Sequence, residues 1–178
     1  MSGVSVVERD RIRIWLARWL LVLGAVGIGL ACWSVIAGDV WRAGIASTAT
    51  ACVLVAAGGL VTSAEAPADR VFASLVDRAF DGAVLGGIAW AYRLDEPWTA
   101  AGAVVALCAS FLAAYVRARG ASLGYGVDEG LVTRVLRYGL VSGGLITDGL
   151  GWALWVLAVV MVLASVVRAS QVAKEERA

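Results

Sequence analysis

Long apolar runs alternate with short polar turns along the whole chain, and the runs have bilayer length, about 20 residues per helix. Six segments reach it, at 14–37, 40–63, 71–92, 98–116, 131–147 and 150–167. The fifth is the weakest and the third carries charges. Turns at Gly38-Asp39, Glu65 to Pro67, Leu94 to Pro97, Gly120 to Gly130 and Thr147 to Gly149 separate them. The pattern predicts an all-α integral membrane protein with six transmembrane helices. Residues 1–178 form a single membrane domain: a flank at 1–13, a bundle at 14–168 and a polar tail at 169–178.

Basic residues orient the bundle. With six spans, Arg9, Arg11, Arg13, Arg18, Arg70, Arg117, Arg119, Arg134, Arg137, Arg168, Lys174 and Arg177 share one side. The other holds Arg42 and Arg93 beside Asp39, Asp95, Glu96 and Asp148. Both termini are therefore expected to be cytoplasmic. Trp15, Trp19, Trp41 and Trp98 fall near span ends, where interfacial tryptophans belong. The stretch 6–19 reads either as an interfacial amphipathic helix or as the ordinary positive flank of the first span.

Composition agrees with the pattern. The chain is 61% hydrophobic with mean hydropathy +0.83, against about 45–50% apolar in soluble domains. Its 21 Gly suit close helix packing. A net charge of +1 offers no basic field for nucleic acid. The absence of histidine removes the usual general base near neutral pH and the commonest metal ligand. Cys32, Cys52 and Cys108 are odd in number and scattered in apolar runs, which predicts buried apolar thiols rather than a disulfide or zinc site. No cleavable signal peptide is evident.

The candidate chemistry sits in the third segment. Asp77 and Asp81 are four residues apart, so a helix puts them on one face, with Ala73 a turn earlier. Charges at membrane depth cost a few kcal/mol each and usually face a bundle interior or a wet pathway. Two stacked carboxylates need a proton, an arginine or a metal to coexist. Arg70, Arg78 and the later arginines are candidate partners, and Mg²⁺ is a candidate hard cation. Gly58-Gly59, Gly86-Gly87 and Gly143-Gly144 read as close-approach sites, and Trp152 and Trp155 as packing or lipid-facing residues.

The run from Asp77 to Trp90 resembles the third helix of the CDP-alcohol phosphatidyltransferase family. Ser110 to Gly120 resembles the end of its fourth helix, Gly130 to Arg137 the start of its fifth, and Ala153 to Arg168 its last span. The likeness covers about residues 44–168, and its weight lies in the order and spacing of the strings. It implies transfer of a phosphatidyl group from a CDP-linked lipid to an alcohol with release of CMP. It also implies a signature D-x2-D-G-x2-A-R-x8-G-x3-D-x3-D whose first three aspartates hold divalent metals and whose last acts as base. On that pattern Asp77 is the possible base, and Asp81 and Asp69 are candidate metal ligands. Arg78, Arg117, Arg119, Arg134 and Arg137 are candidate substrate or phosphate contacts. Mg²⁺ or Mn²⁺ is expected if the site is active.

The signature itself is incomplete. Anchored on Asp77, it places Ala73 at the third aspartate and Cys52 and Val55 at the leading two. A shifted register recovers Asp77 and Asp81 but leaves the second segment without an acid. The leading expectation is a family member with a degenerate site, a pseudoenzyme. It would act as a lipid- or phosphate-binding subunit, as a homodimer or a heterodimer with an active relative. The alternatives are an active transferase using CDP-diacylglycerol, and a small transporter. The Ala/Val/Gly/Arg-rich composition suggests a bacterial plasma membrane.

Overall fold

A computed structural model of the chain describes the backbone of residues 3–62, 67–125 and 131–175, and side chains at 12, 15–57, 71–125 and 135–170. Six helices make up these residues: α1 (Gly3–Ile36), α2 (Val40–Thr62), α3 (Pro67–Tyr92), α4 (Pro97–Ser122), α5 (Leu131–Ile146) and α6 (Leu150–Glu175). Stretches of α1, α2, α4 and α6 are long and apolar enough to cross a membrane, and α5 has a shorter apolar stretch. The chain is an all-helical, multi-pass membrane protein.

Local chemistry explains the breaks. α1 ends at Gly38, which takes the left-handed backbone (φ 77°) that glycine adopts without a Cβ clash. Asp39 then caps α2: its Oδ1 accepts the Arg42 N–H at 3.1 Å, filling one of the orphan donors of a helix start. Pro97 opens α4, where a missing N–H costs nothing. Asp148 makes the tight α5–α6 turn at φ 55°. Four predicted limits move by several residues: α1 begins at Gly3 as one unbroken helix, α3 begins at Pro67 rather than 71, α4 runs on to Ser122 rather than 116, and α6 carries the expected polar tail on to Glu175.

Neighbouring helices close a ring in the order α1, α2, α5, α6, α4, α3 and back to α1, with a further contact between α2 and α3. Small residues permit the close approaches. α4 buries Ala100, Gly102, Ala103, Ala106, Ala109 and Ala113 at three- and four-residue spacing against α3 and α6. A Cβ on Gly144 would lie 2.9 Å from that of Ala153, so α5 and α6 could not meet as they do with alanine there. The paired glycines divide: Gly87 faces Cys32 and Val35 of α1 while Gly86 has open space, and Gly144 is tight while Gly143 is open. Successive residues on a helix point about 100° apart, so one of each pair meets the neighbour. Side chains at Gly58 and Gly59 lie outside the described residues.

One expectation changes here, on the cysteines. Cys52 and Cys108 are exposed and Cys32 is half-buried, so these thiols are not core residues. Among the tryptophans of α6, Trp152 points outward, whereas Trp155 stacks on Trp98 of α4 with centroids 4.6 Å apart.

Candidate functional site

α3 turns one face inward along Asp77, Phe80, Asp81, Val84, Leu85 and Ile88, all buried. This is the three- and four-residue spacing of a helix face, and it carries both carboxylates into the middle of the ring. α4 presents Ser110 to the same place, and α5 presents Arg137 and Tyr138. No backbone contact joins α3 to α5 among the described residues. The long Arg137 side chain bridges the gap.

Its guanidinium spans both acids. Arg137 Nη2 donates to Asp77 Oδ2 at 2.8 Å and Nη1 to Asp81 Oδ2 at 3.0 Å. Arg78 closes the cluster from α3 itself: Nη2 lies 3.2 Å from Asp77 Oδ2 and Nη1 2.9 Å from Asp81 Oδ2. Nη1 also donates to the Ser110 carbonyl at 3.0 Å and hydroxyl at 2.8 Å. The Ser110 hydroxyl in turn donates to Asp81 Oδ2 at 2.5 Å. The Tyr138 hydroxyl donates to Asp77 Oδ1. Phe80 packs edge-on against the Tyr138 ring, centroids 4.9 Å apart, and shields the cluster from one side.

Asp77, Asp81, Arg137, Ser110 and Tyr138 are each at least nine-tenths buried. A lone charge in such a place is untenable, and here each acid faces both guanidiniums. Charge-assisted, forked hydrogen bonds are the strongest means of pairing them.

The structure thus brings together Asp77, Asp81, Arg78 and Arg137 from the sequence-derived set. Arg119 is exposed near the end of α4, and Arg117 is half-buried two turns beyond Ser110, about 10 Å along the axis. The side chains of Asp69 and Arg134 lie outside the described residues, as does Glu65. Ser110 and Tyr138 were not predicted as site residues. Ser110 opens the motif string of the fourth segment, and that is its only signal in the sequence. Tyr138 has none beyond its place after Arg137.

The residues present do not fit the paired divalent metals implied by the signature. α2 contains no Asp or Glu. Beside the cluster, its wall with α5 forms an open apolar pocket of about 260 Å³, lined by Thr48, Cys52, Val55, Val135, Tyr138 and Ser142 among others. Cys52 and Val55 are the positions where the ungapped signature puts its leading aspartates. No group of three or more metal-ligating side chains occurs among the described residues.

Comparison with known proteins bears out the family resemblance. No family model matches the chain. It is 41% identical over 91 residues to a phosphatidylinositol phosphate synthase of Corynebacterium glutamicum, a match taking in 46% of this chain and 42% of that protein. The chain thus covers less than half the length of this curated relative. Its fold is that of the Mycobacterium tuberculosis phosphatidylinositol phosphate synthase. The form solved with CDP-DAG bound has a TM-score of 0.70 at 19% identity, covering 91% of this chain and 94% of that one. The form with manganese and citrate gives 0.70 at 18% identity, covering 86% and 80%. Both relatives are members of the CDP-alcohol phosphatidyltransferase family.

Proposed function

We propose that this chain, which has the fold and sequence likeness of the CDP-alcohol phosphatidyltransferases, serves phospholipid biosynthesis as a non-catalytic, lipid- or phosphate-binding subunit. It crosses a bacterial plasma membrane six times with both termini cytoplasmic, and it works as a homodimer or beside an active relative. One observation carries this reading. Both surviving acids are committed to guanidinium forks, opposite an α2 that has no acid to share a metal. A diphosphate brought there would meet no metal clamp, and Asp77 would have to give up Tyr138 and two arginines before taking a proton from an alcohol.

The relatives favour a second reading. Both are synthases, one solved with CDP-DAG and one of its forms with manganese, and that likeness supports an active transferase better than a silent one. In that case Asp77 is the base toward the acceptor hydroxyl, and the arginines hold the acceptor's phosphate.

CMP release separates the two. Purified protein given CDP-diacylglycerol, Mg²⁺ or Mn²⁺ and a panel of alcohols, inositol phosphate included, is expected to release no CMP above an Asp77→Asn control. It should still bind CDP-diacylglycerol or inositol phosphate. Metal-dependent release lost in Asp77→Asn would establish the transferase instead.

A further inference from the structure

The fit between acids and arginines goes further than neutralisation. Two guanidiniums carry the charge of one divalent cation. Arg137 also does geometrically what a bridging ion does, since one planar fork contacts an oxygen of each carboxylate, at 2.8 and 3.0 Å. The two Oδ2 oxygens a bridging metal would use are taken. Asp77 Oδ2 faces two guanidinium nitrogens, and Asp81 Oδ2 faces Arg137, Arg78 and Ser110. A divalent ion needs oxygen lone pairs at roughly 2.0–2.6 Å and several of them. Here it would have to expel the buried Arg137 fork to bridge the two carboxylates at these oxygens.

We infer that Arg137 is a built-in counter-cation standing in a metal's place between Asp77 and Asp81, so that the corner is closed to divalent metal and turns into a cation site once that guanidinium is removed. The inference deepens the non-catalytic reading and fails separately from it. Arg137→Ala removes one positive charge and the fork from between Asp77 and Asp81, leaving two carboxylates less neutralised beside a buried cavity where the fork had been. That arrangement attracts a hard cation.

The test compares wild type with Arg137→Ala in one detergent, using Mn²⁺ titration followed by electron paramagnetic resonance and thermal unfolding in Mn²⁺ or EDTA. Wild type is expected to bind no Mn²⁺ and to melt at the same temperature in both. Arg137→Ala is expected to bind Mn²⁺ at least about tenfold more tightly than the weakest binding the titration can detect, where wild type shows none. It should melt lower in EDTA and recover in Mn²⁺, and adding Asp81→Asn should abolish the recovery. Arg137→Gln, which keeps much of the length without the charge, provides the same comparison if the alanine variant does not fold. Stoichiometric Mn²⁺ on the wild type, or variants that gain neither metal nor stability, overturns the inference. Mn²⁺ binding without CMP release would defeat it alone, and CMP release in EDTA would defeat only the non-catalytic reading.

Discussion

Arg137→Met is expected to lower the stability of the folded protein by about 3–5 kcal/mol, the scale for removing one partner of a buried ion pair. Methionine approximates the arginine stem and packs without strain, so volume is not the issue. The loss comes from charge: Asp77 and Asp81 lose the guanidinium that spans them, and both are buried from water that could compensate. α5 also loses its bridge to α3, since these helices share no backbone contact among the described residues. Combining Arg137→Met with Asp81→Leu should cost clearly less than the sum of the two single changes, because each single change strands a charge that the other removes. Unfolding in mixed micelles by denaturing detergent, read as a double-mutant cycle, checks this. Additive losses would mean that the two groups do not act together.

Phe80→Ala is expected to cost a similar amount, about 3–5 kcal/mol, by opening a cavity at the edge of the charged cluster. Phe80 is 2% exposed and holds the Tyr138 ring edge-on, which aims the tyrosine hydroxyl at Asp77. In a membrane the apolar effect between helices is weak, so the loss is one of packing contacts and of the tyrosine's orientation. Phe80→Leu should retain most of the stability. The same unfolding assay distinguishes the two, and equal losses would place the cost elsewhere than in the cavity.

The helices were legible in the sequence because each apolar run was of spanning length and each turn carried its own chemistry, Gly38-Asp39 and Pro97 being the plainest. The pairing of Asp77 with Asp81 followed from their four-residue spacing. Arg137 was legible as one of several arginines that could meet phosphate or the carboxylates, but not as the one that bridges them. That it turns inward and reaches α3, while Arg119 on α4 turns out, depends on how α5 and α4 rotate in the ring. That rotation is set by packing between helices distant in the sequence, such as α5 against α2 and α6. Tyr138 and Ser110 were hidden for the same reason. The exposed thiols of Cys52 and Cys108 mark the converse limit: in a membrane protein an apolar run says that a residue avoids water, not that it faces protein.

The central claim is that guanidinium, not metal, holds Asp77 and Asp81. Anomalous diffraction at the manganese edge, from crystals grown with excess Mn²⁺ and CDP-diacylglycerol, tests it most directly. The account predicts no anomalous peak between the two carboxylates and the Arg137 fork in place on both. A manganese peak there, with Arg137 swung away, would contradict it.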